Sequence, residues 1–264
     1  MDLTSIRAVI TDMDGVLWNE DEALPGLVEL YSLLRSRQIP IVAATNNATK
    51  TPAEYVNKFA RMGVQEVQAS EIITSGTAIT TYISERYVVG TRIHVLGSAA
   101  LRTVLAAAGY PSADDDVAVV IVGLDKELTY DKLKRASLLI QAGAEFIGTN
   151  DDPALPSPEG LIPGAGSVVA AVTVASGKRP SMLIGKPHPP LFEAALRYLG
   201  TQPQETLMIG DRLDTDILGA LKLGIKTALV LTGASTHAHI DAGSVQPDGV
   251  YADLPSLIAA WESR

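Results

Sequence analysis

Short, unbroken apolar runs recur along this chain, and each ends in a polar turn that opens a segment with apolar residues at helical spacing. Residues 6–11 contain Ala8-Val9-Ile10, and residues 39–44 form a second such run. A continuously apolar strand needs cover on both faces, which is the situation of a strand inside a parallel sheet. Between the two runs Leu27, Leu30, Leu33 and Leu34 fall at helical spacing. After the second, Thr51-Pro52-Ala53-Glu54 reads as a helix start, with Thr as the cap, Pro in the first turn and Glu in the capping-box position. Tyr55, Phe59 and Met62 supply that helix with a buried face, and Gly63 can end it. The order β-α-β-α selects a parallel sheet.

The alternation returns toward the C-terminus, with strands expected at 181–184, 206–209 and 227–231 and helices at 189–199, 215–223 and 257–261. The stretch between has core signals of its own: strands at 93–96 and 117–122, and helices at 99–108 and 130–142. Residues 153–166 read as a Pro/Gly-rich loop, with Ser167 as the cap of the helix that follows. The expectation is an α/β fold. A doubly wound parallel-sheet core is built from 1–79 and 180–264, and an inserted α/β domain from 80–179.

Composition narrows the functional classes. Of 264 residues 47% are hydrophobic, ample for a packed core. There is no cysteine, which excludes disulfides, zinc–thiolate sites and thiol nucleophiles and suits a reducing cytoplasm. Met1-Asp2-Leu3-Thr4 carries no basic stretch leading into an apolar one, so a cytoplasmic protein without a secretory signal is expected. No apolar run approaches the ~18–20 residues that cross a bilayer, so no membrane partner is expected. A net charge of −9 repels nucleic-acid phosphates, so no nucleic-acid partner is expected either. It also repels small anions, so a phosphate site here must concentrate its own cations, commonly a metal and a lysine.

Four polar sets stand at the ends of expected strands, where open parallel sheets bind ligands. Asp12-Met13-Asp14-Gly15 comes first. Its paired carboxylates suit magnesium, and one can be a nucleophile while the other moves a proton; a solvated Asp-rich turn is the alternative. Thr45-Asn46-Asn47 offers a hydroxyl, amides and backbone N–H groups to an oxyanion, or is an ordinary turn. Lys186, in Gly185-Lys186-Pro187, can neutralise a phosphate or a carboxylate, or is solvated. Gly210-Asp211-Arg212-Leu213-Asp214-Thr215-Asp216 adds three acids, of which a helix cap at Asp214 or Thr215 explains only one.

Taken together, these sets resemble the haloacid dehalogenase superfamily. Asp12-Met13-Asp14-Gly15-Val16-Leu17 looks like its first motif, Thr45 its second, Lys186 its third, and Gly210-Asp211 with Asp216 its fourth. The large insertion between the second and third motifs resembles class IIA, which includes NagD-type nucleotide phosphatases, 4-nitrophenyl phosphatases, phosphoglycolate phosphatase and pyridoxal phosphate phosphatase. The resemblance implies a magnesium-dependent phosphatase for small phosphomonoesters. Asp12 would form an aspartyl-phosphate, and Asp14 would protonate the leaving alcohol and then activate water. Asp12, the Asp14 carbonyl and Asp211 would hold magnesium. Thr45, Asn46, Asn47 and Lys186 would bind the phosphoryl group, and Asp216 would support them. It further implies that 80–179 is a C2-type cap, through which relatives often pair as homodimers. Its loop, containing Asp125 and Glu127, would face the leaving group. Glu127 stands where some relatives have a histidine, which argues against a pyridoxal-phosphate-like specificity. The acidic loop favours neutral or cationic leaving groups.

Two rivals compete with this reading. One is a receiver-like module that merely carries phosphate on Asp12. The other is a metal hydrolase using His237 and His239, for which a solvated loop is the plainer account. Trp18 is expected to pack in the core near the site mouth.

Overall fold

The computed structural model describes residues 1–157 and 159–263. The chain forms two compact units, one of Met1–Thr45, Pro52–Ile73 and Lys186–Arg264, the other of Asn46–Thr51 and Thr74–Gly185. The later changeovers fall six residues outside the expected inserted segment on each side, at 73 against 79 and at 185 against 179. Two local structures account for the difference. The helix Ser75–Ser84 begins at Thr74, whose side chain accepts from the Thr77 N–H while Thr77 returns a bond to the Thr74 N–H. The strand Met182–Leu183 belongs to the second unit's sheet.

The first unit is built on a six-stranded sheet. Its order is Gly249–Tyr251, Lys226–Val230, Thr206–Gly210, Ala8–Thr11, Ile41–Thr45 and Ile72–Thr74. The central strand Ala8–Thr11 is buried throughout and runs parallel to both neighbours, with Thr11 opposite Ile209 on one side and Ala43 on the other. Its apolar run is continuous because helices cover both faces. Lys226–Val230 shows this by alternation. Ala228 and Val230 join the cluster formed with the helices Leu27–Ser36, Pro52–Arg61 and Leu254–Glu262, while Leu229 packs with Ile217 and Ile240 on the opposite side. The strands at its centre all end at the same edge, and Asp12, Thr45 and Asp211 lie at that edge.

The second unit has its own four-stranded parallel sheet, ordered Met182–Leu183, Glu145–Gly148, Val119–Val122 and Ile93–Leu96. The helices Tyr130–Gln141 and Ala165–Ser176 bury Ala136, Ile140, Val168, Val169 and Val172 against it. Three sequence expectations change here. The strand read at 181–184 as part of the core is a two-residue, half-buried edge strand of this second sheet, pairing with Ile147–Gly148. The stretch read as a loop at 153–166 contains an antiparallel hairpin, Ala154–Ser157 with Gly160–Pro163; Pro158 lies outside the described residues. Ser167 does not cap the next helix; Gly164 occupies that position and the Ser167 hydroxyl donates to the Pro153 carbonyl. Among the described residues no helix is long and apolar enough to cross a membrane.

Leu207, fully buried between neighbouring parallel strands, tests where stability resides. Leu207→Ala is expected to cost about 3 kcal/mol in chemical denaturation, whereas Val174→Ala, at an exposed position, changes stability by less than about 0.5 kcal/mol.

Candidate active site

Asp12 continues the central strand by one residue, its N–H donating to the Ile209 carbonyl at 2.8 Å. The chain then turns sharply. The Met13 carbonyl accepts from the N–H groups of Val16, Leu17 and Trp18, and Gly15 adopts φ 83°, a conformation that favours glycine. This turn leaves the Asp12 side chain nearly buried and the Asp14 side chain exposed.

Lys186 meets Asp12 from the start of the C-terminal segment. Its ammonium lies 2.5 Å from Asp12 Oδ1 and 2.7 Å from Asp216 Oδ1, and it donates to the Ala44 carbonyl at 3.2 Å. Only 2% of Lys186 is exposed. Burial alone would lower its pKa, but the charges of Asp12 and Asp216 outweigh that and hold the ammonium above its ordinary value. Burial pushes Asp12 well above the usual carboxylate range; Lys186 opposes the shift, and Asp216 and Asp211 add to it. Asp216 is fixed in turn by the Arg212 N–H, which donates to its Oδ2 at 3.1 Å. Asp216 lies in a π-helical turn, Leu213–Ile217, which follows the strand Thr206–Gly210 and is closed by the Ile217 N–H donating to the Arg212 carbonyl at 3.2 Å. Such a turn inserts an extra residue into a helix and is common at functional sites. Neither Asp214 nor Thr215 caps this turn, contrary to the simple account of the acidic cluster; the Asp214 carboxylate pairs with the Arg212 guanidinium instead.

Asp211 completes the cluster. One oxygen, Oδ2, accepts from the Ala234 N–H at 2.7 Å. The carboxylate is pressed between two glycines, since a Cβ on Gly15 would lie 2.6 Å from Oδ2 and one on Gly233 only 2.0 Å. Oδ1 is buried and accepts no hydrogen bond. Asp12, Asp211 and Asp216 each bring an oxygen within 4.8 Å of the others. Three carboxylates against the one Lys186 ammonium leave two negative charges in a buried site. That charge and the unmatched oxygen fit a divalent cation on hard oxygen ligands.

The other expected site residues divide between the units. Thr45 is buried at its strand end and shares a hydrogen bond with the Tyr55 hydroxyl. Asn46 and Asn47 go with the second unit. The Asn46 amide donates to Asp152 at 2.9 Å and its carbonyl accepts from Ser75 and Asn150, while the Asn47 side-chain oxygen closes a turn by accepting from the Thr49 N–H and hydroxyl. Asp125 is buried within its own loop, accepting from the Glu127 N–H and pairing with Lys132, which also donates to the Glu127 carbonyl. The charge of Asp125 is thus neutralised internally, which removes half the basis for expecting an acidic specificity loop; the Glu127 side chain is exposed. His237 and His239 lie exposed on a short helix, where the His239 ring accepts from the Thr236 N–H. Neither belongs to a metal-ligating cluster among the described residues. Gly233 escaped the sequence reading. Its signal, a glycine just past the strand Lys226–Val230, becomes meaningful only once Asp211 is placed beside it.

Asp211 sets a pH dependence. Burial first, and then the charge of Asp216, raise its carboxyl from 3.8 to about 6, against the opposing bond from Ala234. The folded, metal-free chain therefore holds this proton more tightly than the unfolded chain. The resulting stability is complete below 3.8 and is lost as pH rises through about 6. Its size is on the order of 3 kcal/mol. A divalent cation competes with the proton, so its gain in Tm should be larger at about pH 7.5 than at about pH 5, and equal gains would contradict this assignment. Gly233→Ala drives a methyl group into the Asp211 carboxylate and should remove most of that gain while the far-UV circular dichroism is retained.

The comparisons agree with this geometry. A family model described as haloacid dehalogenase-like hydrolase matches residues 9–111, and a second, HAD-hydrolase-like model matches residues 183–257. An acid sugar phosphatase of Staphylococcus saprophyticus is 36% identical, the match covering 98% of this chain and 100% of the relative. The crystal structure of a 4-nitrophenylphosphatase from Thermotoga maritima is 34% identical with a TM-score of 0.93, covering 98% of each chain. NagD from E. coli K-12 is 33% identical with a TM-score of 0.88, covering 94% of this chain and 97% of that one. The receiver-like alternative therefore falls away. The buried carboxylate cluster at the sheet edge and the full-length likeness lead to one conclusion: the chain belongs to the haloacid dehalogenase superfamily, among its class IIA members, and is a phosphatase.

Proposed function

We propose that this phosphatase hydrolyses small phosphate monoesters in two covalent steps, with Asp12 as the nucleophile and magnesium as the cation. The observation that carries the proposal is the Lys186 ammonium 2.5 Å from Asp12 Oδ1. Burial pushes the Asp12 carboxyl toward protonation, and the buried Lys186 ammonium, itself held above its ordinary pKa, opposes that push and favours the anion. The Asp12 side chain, the Asp14 carbonyl and the Asp211 side chain would hold magnesium, which when bound supplies positive charge against the phosphoryl oxygens.

In the first step an Asp12 oxygen bonds to phosphorus. The bond from phosphorus to the alcohol oxygen breaks, and that oxygen takes a proton from Asp14. In the second a water oxygen bonds to phosphorus and passes a proton to Asp14, and the bond from phosphorus to Asp12 breaks. Inorganic phosphate leaves, and both carboxyl groups return to their starting states. Splitting the displacement in this way replaces one difficult step by two easier ones. Thr45 and Lys186 offer a hydroxyl and an ammonium to the phosphoryl oxygens. The chemistry is assigned to the first unit and the choice of leaving group to the second. Sugar and aryl phosphates are the proposed substrates, in line with the relatives described as acid sugar phosphatase and 4-nitrophenylphosphatase. A chain without cysteine suits a cytoplasmic setting.

Asp12→Asn tests the reading. Turnover of 4-nitrophenyl phosphate with magnesium should fall by at least about a thousandfold. The variant should fold no less stably, because the amide removes one charge from a crowded cluster and leaves Lys186 paired with Asp216. Substantial turnover by a folded Asp12→Asn protein would refute the nucleophile assignment.

A further inference from the structure

We propose that Trp18 is the positioning residue for Asp14, and that its indole N–H decides which oxygen of that carboxyl exchanges the proton. The proposal rests on the reading of Asp14 as acid and base given above. The Asp14 side chain is exposed, so nothing in core packing fixes its rotamer. Trp18 is the opposite case, with no exposed surface, and its Nε1 donates to Asp14 Oδ1 at 2.9 Å. An indole nitrogen donates and never accepts. Oδ1 is therefore the accepting oxygen, and the exchangeable proton belongs on Oδ2. A group that must act as acid in one step and base in the next gains from having one oxygen permanently committed in this way.

The indole is held on several sides. The Tyr55 ring stacks with it, centroids 6.4 Å apart and planes 13° from parallel, and Phe59 meets it edge-on at 4.9 Å. The ammonium of Lys58 sits 4.3 Å from the ring centroid, buried, and donates to the Glu20 carbonyl at 2.5 Å. A buried lysine placed over an aromatic face is costly unless it is well partnered, and here both the ring and a carbonyl partner it. The main chain completes the arrangement, since the Gly15 N–H donates to the Trp18 carbonyl and the Trp18 N–H to the Met13 carbonyl. Residues from the strand end and from the helix Pro52–Arg61 thus converge on a ring whose single polar atom faces Asp14.

The test exploits the leaving group. Nitrophenolate departs as an anion with little need of a proton, whereas an alkoxide must be protonated. In a two-step covalent mechanism kcat/KM reports only the step that releases the alcohol. Two substrates are compared: 4-nitrophenyl phosphate, and whichever of glucose 6-phosphate and glycerol 3-phosphate is turned over faster. For Trp18→Phe, kcat/KM should fall at least about tenfold further on the alkyl phosphate than on the aryl one. Phe59→Leu, which loosens the same ring without touching the N–H, should lower both substrates equally. Equal losses for Trp18→Phe would overturn the proposal. If Trp18→Phe fails to fold, site-specific replacement of the indole by its benzothiophene isostere removes the N–H while keeping the shape, and the same comparison applies. Asp14→Asn separates the two levels of argument. If it shows the leaving-group split and Trp18→Phe does not, only the positioning role fails. If Asp14→Asn shows no split, the acid role of Asp14 falls and the proposal with it.

Discussion

The contact between the Lys186 ammonium and the carboxylates of Asp12 and Asp216 is the constraint around which the site is arranged. Removing one partner from a buried ion pair leaves an uncompensated charge, which is far costlier than the pair itself is worth. The three groups come from distant parts of the chain, so the contact exists only when the central strand, the start of the C-terminal segment and the π-helical turn after Thr206–Gly210 are all in place. It also leaves the cluster two charges short of neutrality. That imbalance explains why a site on an acidic protein can attract a divalent cation and, with it, an anionic substrate.

Close approach of backbone to carboxylate is the second condition. Asp211 sits where any side chain at Gly15 or Gly233 would collide with it, and the Thr232 hydroxyl donates to the Gly15 carbonyl at 2.6 Å, tying the two loops together. The glycines do different work. Gly15 also needs its positive φ for the turn after the strand, whereas Gly233 is required for the space it leaves. A loop closed down on a buried carboxylate in this way limits how far that carboxylate can move, which would preorganise it for a cation.

Much of the architecture was readable in advance because its cause is periodic. Ala8-Val9-Ile10 and the run ending at Thr45 have no polar alternation, and only two-sided burial tolerates that. The strand at Met182–Leu183 shows where the same logic fails. Its apolar residues suit a core strand of either sheet, and short apolar runs carry no information about which sheet they join. The hairpin at Ala154–Ser157 and Gly160–Pro163 was hidden for a related reason: its prolines and glycines suit turns, while its pairing is a cross-strand property that local composition does not encode. Asp125 was legible as a loop acid but not as a buried one, because its partner Lys132 lies on the following helix.

The sequence by itself determined the class of fold, the carboxylate pair at Asp12 and Asp14, and the set of Thr45, Lys186, Asp211 and Asp216. These are matters of residue type and order: Asp12, Thr45 and Asp211 directly follow or end strands of one parallel sheet, whereas Lys186 follows a strand of the other sheet and Asp216 lies in the turn after Thr206–Gly210. Only the tertiary structure decided how those residues engage. It placed Asp216 on Lys186, left one oxygen of Asp211 unmatched and drew Asn46 into bonds with Asp152 and Asn150. It also turned Trp18 from a core residue into one that holds Asp14. The physical reason is the same in each case. Periodicity and propensity act over a few residues, whereas a hydrogen bond or an ion pair needs two atoms within about 3 Å, and which atoms come that close is fixed only by packing.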